Sequence, residues 1–266
     1  MTFPRLVAAL AAAALLALAG CSRQDSQAAA SPAVAPAPPA TEPIDVESFT
    51  PQQQTDMRAV VRDYLIRDPS VIREALEVLA ARERAEREHA IMNDPRSFSV
   101  GPADAKVTVV EFFDYTCPFC QAASDWVVSL TRNHPDVRVV FKEYPVRPDP
   151  AAAEASRAAV AAMRQGRYLQ FHQAMMGRSG PLTSEIIDDL ARRSGIDVAR
   201  MRRDMQDPAV DALLLENHRQ AAEAGITGTP AFMINGEWMN GWPRENAEAT
   251  MNARLMEAKR RAAAAR

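Results

Sequence analysis

Two of the three cysteines, Cys117 and Cys120, are separated by two residues in the stretch EFFDYTCPFCQAAS. This spacing suits a redox-active dithiol, half of a zinc site or a structural disulfide. A structural disulfide is disfavoured, because closing so short a loop removes little entropy from the unfolded chain. A structural zinc needs four ligands. No second CxxC exists and the four histidines show no paired ligand spacing, so we expect no metal site.

The dithiol interpretation explains why the two cysteines are this far apart. A thiolate is the nucleophile in disulfide exchange, so the site must stabilise a negative charge on one sulfur. A helix signal follows Cys117, and Pro118 suits the first turn of that helix. Unpaired N–H groups at the helix start would then favour a thiolate at Cys117. Cys120 would lie one turn further on, close enough to resolve a mixed disulfide, and the electrons would pass through the dithiol with no other cofactor.

The surrounding sequence predicts the elements that position the pair. The β-branched and aromatic run DAKVTVVEFFDY precedes it, and a second strand-like run, VRVVFKEYPV, follows the helix. Residues 151–224 are helical throughout, and Asn235-Gly236 between apolar runs is typical of a type I′ hairpin. Strands joined through a helix should be parallel neighbours, with the hairpin supplying antiparallel edge strands. The prediction is an α/β thioredoxin fold with an inserted helical domain, preceded by an N-terminal helical segment.

Composition divides the chain into five segments. Residues 1–21 combine Arg5, an apolar Ala-rich run and small residues, which is the order of a secretory signal. Residues 22–47 are rich in Ala and Pro and predict a disordered linker. The remaining segments are a helical segment at 48–95, the thioredoxin domain at 96–246 with its insertion at about 150–224, and a C-terminal helix or tail at 247–266.

The signal ends in LALAGC, which resembles the lipobox of bacterial lipoproteins. In that class the cysteine, here Cys21, becomes the new N-terminus and carries the acyl chains. The resemblance implies an exported protein that a lipid anchors to the periplasmic side of a membrane, and Ser22 after the lipid cysteine favours the outer membrane. The alternative is a plain cleaved signal with an incidental cysteine.

Residues 48–95 predict two amphipathic helices. Thr50-Pro51 gives a cap-then-proline start, and Asp68-Pro69 repeats it. The apolar residues that follow helical spacing are Val60, Val61, Tyr64, Leu65, Ile72, Leu76 and Leu79. Two short helices cannot cover such a stripe alone, so we expect it to pack on the main domain or on other copies of the chain. A solvated connector is the alternative.

Three features together resemble the DsbA family of thiol–disulfide oxidoreductases. They are VVEFFDYTCPFC, the helical insertion and GITGTPAFMINGE, and the match covers roughly residues 98–246. In this family a cis proline packs against the active-site cysteines; Pro230 takes that place here, and Thr229 precedes it. The family also keeps a buried acid beneath the site, a place that Glu111 occupies and where Lys142 could pair with it. The alternative is that both charged side chains point outward.

Phe119 departs from the best-known strong oxidant of the family, which has histidine at this place. A histidine there stabilises the reduced form through its charge and hydrogen bonding, which phenylalanine cannot do. We therefore expect a less oxidising pair, with a potential between about −270 mV for thioredoxin and about −120 mV for the strong oxidant.

The resemblance also implies partners. They are cysteine-containing exported proteins, whose disulfides the chain would form or isomerise, and a membrane protein that reoxidises or reduces the dithiol. The stretch VVRDYLIRDPSVIREALEVLAA resembles the oligomerisation segment of the trimeric ScsC-type isomerases, which implies a dimer or trimer. A redox-linked chaperone and a dedicated reductase remain alternatives. A formal charge of −3 gives no concentrated basic face, so we expect no nucleic-acid partner.

Overall fold

The computed structural model describes residues 48–264. The described residues from 52 onward form one compact unit, and the fold below belongs to it. The predicted signal and linker, with Cys21 and Ser22, lie outside the described residues.

A five-stranded mixed sheet forms the centre of the described fold, in the order β1-β3-β2-β4-β5. Its strands are β1 (Ser99–Val100), β2 (Val107–Phe113), β3 (Val137–Glu143), β4 (Ala231–Ile234) and β5 (Glu237–Asn240). β2 and β3 run parallel, as the strand–helix–strand order predicts. The prediction for the hairpin is wrong in one respect, because β4 pairs with β2 inside the sheet and only β5 lies at that edge. Accordingly, β4 is fully buried and β5 is partly exposed.

Asn235 and Gly236 form the turn between β4 and β5 with φ angles of 46° and 83°. Positive φ at both positions is the type I′ geometry that the Asn-Gly pair predicts. The Asn235 side chain also accepts a hydrogen bond from Thr108 N at 2.7 Å and donates one to Lys106 O at 2.7 Å. The turn is therefore tied to the start of β2, which fixes β4 against the strand that leads to the cysteines.

Nine helices of the described residues accompany the sheet. They are α1 (Pro51–Arg67), α2 (Ser70–Met92), α3 (Pro118–Asn133), α4 (Pro150–Met163), α5 (Tyr168–Met176), α6 (Ser184–Arg193), α7 (Val198–Asp204), α8 (Pro208–Glu223) and α9 (Ala247–Ala264). Helices α4 to α8 stand between β3 and β4, where the sequence predicts the insertion. Asp207 caps the start of α8, because its side chain accepts from Ala209 N at 2.8 Å and Pro208 takes the first helical position.

Hydrophobic clusters cover both faces of β2. Val109 and Phe113 belong to the larger cluster, which includes side chains from α3, α5 and α9. Val110 and Phe112 belong to a second cluster, which includes Ile91 from α2. All seven residues of β2 are buried, because alternate side chains enter opposite clusters. The strand that leads to Cys117 is therefore held rigidly from both sides.

The apolar side chains of α1 and of the first part of α2 are exposed. α1 buries no residue, and α2 buries only Ile91 near its C-terminal end. Nine large apolar side chains between residues 57 and 79 are exposed, including Val60 at 68 % and Leu76 at 59 %. Of the two partners expected for this stripe, the main domain is not the one, because α2 buries a residue only near its C-terminal end, at Ile91; packing on other copies of the chain stays a prediction. Between residues 48 and 264 no helix is both long and apolar enough to span a bilayer.

Candidate active site

Cys117 caps the N-terminus of α3. A turn after β2, closed by a hydrogen bond from Cys117 N to Asp114 O at 3.0 Å, brings the cysteine to the helix. Cys117 has extended backbone angles, φ −82° and ψ 119°, and Pro118 occupies the first helical position. Cys117 is half-buried, whereas Cys120 is fully buried. One sulfur is therefore accessible to another protein, and the other is enclosed.

The surroundings of Cys117 favour its thiolate. A hydrogen bond from the Cys120 thiol is the largest of the influences that lower the pKa of Cys117 to about 5. The Thr229 hydroxyl and the N–H groups of the first helical turn contribute in the same direction, against the opposing effect of burial. When the thiol is protonated, Cys117 Sγ donates to Thr229 O at 3.3 Å. Cys117 is therefore ionised at neutral pH.

The loop that carries Thr229 and Pro230 meets the cysteine pair from a distant part of the chain. The Thr229–Pro230 peptide bond is cis, as the resemblance implies. β4 begins directly after this loop, at Ala231, and pairs antiparallel with β2. Because the start of β4 then lies beside the end of β2, the sheet brings the Thr-Pro loop and the CxxC helix to the same edge.

Glu111 lies inside β2, within electrostatic reach of both sulfurs. Its side chain is 1 % exposed, and neither carboxyl oxygen has a hydrogen-bond partner among residues 48–264. Burial, with a smaller contribution from the Cys117 charge, raises the pKa of Glu111 to about 8. Burial also raises the pKa of Cys120 far above its usual range, and Glu111 adds to that shift. The site therefore combines one accessible thiolate, one buried thiol and one buried carboxyl group.

Lys142 does not pair with Glu111, which corrects the prediction from sequence. In the β2–β3 register Glu111 lies opposite Phe141, and Lys142 lies opposite Phe112. Because side chains alternate along a strand, Lys142 faces the other side of the sheet from Glu111. The Lys142 side chain is fully buried, and its Nζ lies 3.8 Å from the carboxylate of Asp94, just after α2. Lys142 thus belongs to the contact between α2 and the sheet and not to the site around the cysteines.

Phe119, between the two cysteines of the motif, is 47 % exposed. Its backbone N–H helps to lower the pKa of Cys117, whereas its side chain carries no proton donor or charge. It places apolar surface next to the accessible sulfur. Among the described residues no cluster of three or more His, Cys, Asp or Glu side chains could hold a metal ion.

Two family models match the chain. The DSBA-like thioredoxin domain matches residues 108–253, which is more than half of the chain and includes the cysteine pair, the insertion and the cis-proline loop. The chain belongs to the DsbA-like thioredoxin family of thiol–disulfide oxidoreductases. The N-terminal domain of the copper resistance protein ScsC matches residues 53–86, which fall in α1 and α2.

Solved structures of thioredoxin-like proteins and of ScsC resemble the chain. A thioredoxin-like oxidoreductase from Silicibacter pomeroyi is 34 % identical with a TM-score of 0.60, over 65 % of this chain and 97 % of that one. ScsC from Proteus mirabilis, in a transitional conformation, is 26 % identical with a TM-score of 0.58, over 79 % and 98 %. A periplasmic thioredoxin-like protein from Salmonella enterica serovar Typhimurium is 26 % identical with a TM-score of 0.57, over 65 % and 95 %.

Curated relatives match part of the chain. Na(+)/H(+) antiporter NhaA 1 from Salinispora arenicola is 32 % identical over 142 residues, which are 53 % of this chain and 22 % of the antiporter. The chain thus spans about a fifth of the length of this relative. The likeness therefore concerns a small part of a longer protein.

The DsbA-like domain places four further polar residues near the cysteines that the sequence interpretation does not single out. They are Asp114, Tyr115, His172 and Arg178. Asp114 stands two residues before Thr116 in the quoted motif, a spacing typical of an Asx turn, so the sequence contains a signal for it. His172 and Arg178 lie in the insertion, and no local pattern connects them to the cysteines.

Proposed function

We propose that the chain is a periplasmic thiol–disulfide oxidoreductase that forms or isomerises disulfides in exported proteins. The observation that carries the proposal is the difference between the two sulfurs. Cys117 is accessible and its pKa is lowered to about 5, whereas Cys120 is buried and its pKa is raised far above the usual range. An accessible thiolate next to a protonated, enclosed thiol is the arrangement that disulfide exchange requires. Membership in the DsbA-like family supports the same activity.

The exchange begins at Cys117 when the dithiol reduces a substrate. The Cys117 thiolate attacks one sulfur of a substrate disulfide; the S–S bond breaks, a mixed disulfide forms, and the other substrate sulfur leaves and takes a proton from solvent. Cys120 then loses its proton and attacks Cys117 Sγ. This step releases the second substrate thiol and leaves a Cys117–Cys120 disulfide, so that two electrons have passed to the substrate. Oxidation of a substrate dithiol is the same sequence in reverse.

We assign to Glu111 the proton that Cys120 loses. In the mixed disulfide Cys117 carries no charge, so one of the two causes that raise the pKa of Glu111 is absent at that stage. The carboxylate is then easier to form and can accept the proton as Cys120 attacks. Thr229 and Pro230 are assigned to the substrate backbone, because Thr229 already contacts Cys117 Sγ.

The activity can be tested with scrambled ribonuclease and with insulin. We expect the purified chain to reactivate scrambled ribonuclease and to reduce insulin in the presence of a thiol reductant. Cys117→Ser should abolish both activities, and Cys120→Ser should accumulate a mixed disulfide with the substrate, because nothing resolves it. A wild-type protein that is inactive in both assays, although its dithiol is shown to be reduced, would refute the proposal.

The direction of exchange depends on the redox potential and on the partner that resets the pair. Position 119 holds phenylalanine and not histidine, which supports a redox potential between about −270 mV and about −120 mV. Equilibration of the protein with glutathione buffers measures it. A value near −120 mV would contradict the role given to Phe119, and thiol trapping in cells would separate an oxidase, found mostly oxidised, from an isomerase or reductase, found mostly reduced.

A second copy of the chain is the partner that we propose for the exposed apolar side chains of α1 and α2. Nine of the twelve large apolar side chains exposed among the described residues lie between residues 57 and 79. The same stretch lies within the match to the ScsC N-terminal domain. An isomerase gains from several active sites that face a shared space. We expect an oligomer by light scattering, and a monomer after deletion of residues 48–86, which spares Ile91; a monomeric full-length protein would refute the proposal.

Export and a lipid anchor at Cys21 are proposed from the first residues of the sequence and from the likeness to a periplasmic relative. We expect the protein to partition with membranes and Cys21→Ala to release it into the soluble periplasmic fraction. Mass spectrometry of the mature N-terminus identifies the acyl chains. A soluble wild-type protein with an unmodified Cys21 would show that the signal is of the plain cleaved type.

A further inference from the structure

The side chain of Asp114 organises the loop between β2 and Cys117. It is buried, and its Oδ1 accepts hydrogen bonds from Thr116 N and Thr116 Oγ1, both at 2.7 Å. Its Oδ2 accepts from Val146 N at 3.1 Å, in the segment after β3. The Asp114 carbonyl oxygen accepts from Cys117 N at 3.0 Å. One residue thus fixes the loop internally and ties it to the neighbouring strand.

Arg178 reaches the same loop from the helical insertion. It lies two residues after α5, and its Nη1 donates to Tyr115 O at 2.9 Å and to Met175 O at 2.8 Å. Burial lowers the pKa of Arg178, and the Asp114 carboxylate opposes that shift. Arg178 lies 63 residues from Tyr115 in sequence, and it bridges the loop before Cys117 and the C-terminal end of α5.

The side chain of Tyr115 is fixed by the insertion as well. Its hydroxyl lies 3.1 Å from Nδ1 of His172 in α5, and both side chains are fully buried. Burial lowers the pKa of His172 to about 3, so the imidazole is neutral at pH 7. The positions of the Tyr115 carbonyl and of its side chain are thus both fixed by contacts with α5 and with the residues that follow this helix.

We propose that Asp114 and Arg178 are positioning residues for Cys117, through which the helical insertion controls the reactivity of the cysteine pair. Both side chains act through the loop: the Asp114 side chain holds the N–H and hydroxyl of Thr116, and the Arg178 side chain holds the carbonyl of Tyr115. The donors that favour the thiolate reach Sγ only while Cys117 keeps its position at the helix N-terminus. If the loop is loosened, those hydrogen bonds weaken and a smaller fraction of Cys117 is ionised. The inference rests on the proposed function and gives the insertion a role within it.

The test is a titration of Cys117 in the reduced full-length protein, followed by the ultraviolet absorbance of the thiolate. We expect the midpoint to rise by about one pH unit in Asp114→Ala and in Arg178→Met, because hydrogen bonds to the thiolate are lost. Arg178→Lys retains one donor and should restore part of the shift. Arg193→Met is the matched control, because the Arg193 side chain is 72 % exposed on α6. Where Asp114→Ala does not fold, Asp114→Asn allows the same comparison.

Thermal unfolding of each variant separates positioning from stability. A residue that only stabilises the fold would lower the melting temperature and leave the Cys117 midpoint unchanged, and that result in both Asp114 and Arg178 variants would overturn the proposal. If the midpoint is unchanged only in Arg178→Met, the helical insertion has no role in positioning Cys117, and that part of the proposal is wrong. A wild-type protein without exchange activity would refute the proposed function, yet the comparison of midpoints would still be informative, so the two failures are distinguishable.

Discussion

Glu111 is a carboxyl group in a hydrophobic core, and its protonation links folding to pH. Its ordinary pKa of 4.5 rises to about 8 in the folded protein, chiefly through burial. The folded protein therefore keeps a proton that the unfolded chain releases between these two values. The contribution of this proton to the free energy of unfolding is fully present below pH 4.5 and is lost as the pH rises towards 8. Within that window the free energy of unfolding falls by at most about 1.4 kcal/mol for each pH unit.

We predict that Glu111→Gln makes the reduced protein more stable than wild type at pH 8 and changes its stability little at pH 4.5. The amide has nearly the same shape and cannot ionise, so the cost of burying a charge disappears. Urea unfolding at the two pH values measures the difference. Glu245→Gln is the control, because Glu245 is exposed. A variant that keeps the wild-type dependence on pH would contradict the assignment of a raised pKa to Glu111.

The hairpin that carries β4 is the element whose local chemistry can be tested most directly. Asn235 combines a left-handed backbone with two side-chain hydrogen bonds, to Thr108 N and Lys106 O. We predict that Asn235→Ala lowers the free energy of unfolding by about 1–3 kcal/mol, because the N–H of the buried residue Thr108 and the exposed carbonyl of Lys106 each lose a side-chain partner. Asn246→Ala is the control, since Asn246 has a similar φ of 48°. Equal losses in the two variants would show that the backbone angle alone matters.

Elements with local signals were predictable, whereas long-range partners were predictable only where a family motif carries them, as for Thr229 and Pro230 beside Cys117. Pro118, Pro208 and the Asn235-Gly236 turn each carry their own conformational preference, so the sequence indicates where α3, α8 and the hairpin begin. The neighbour of Lys142 was missed because it depends on the register of β2 against β3, and one residue of register changes the face on which a side chain lies. Arg178 was missed because only the tertiary fold brings it to Tyr115.

At the scale of the whole molecule, α2 is exposed along its first part and packs against the sheet near its C-terminal end. Its first part carries exposed apolar residues, whereas Ile91 packs against the sheet and Asp94 lies 3.8 Å from Lys142. The segment boundary predicted at residue 95 therefore lies after residues that pack against the sheet of the DsbA-like domain. Composition could not show this, because the highly charged sequence after Ala81 suggests that burial has ended. A continuous helix transmits any constraint on its exposed part to the sheet.

The unequal ionisation of the site couples electron transfer to proton uptake. Above pH 5 Cys117 is already ionised, so that reduction of the disulfide takes up one proton at Cys120 and a fraction of another at Glu111. We predict that the potential falls by about 30 to 60 mV per pH unit between pH 5 and 8 in wild type and by about 30 mV in Glu111→Gln. Glutathione equilibration at several pH values measures both slopes, and equal slopes would contradict the coupling. A substrate dithiol releases two protons on oxidation, so its potential changes by about 60 mV per pH unit, and an acidic compartment would make the cysteine pair a weaker oxidant of such dithiols.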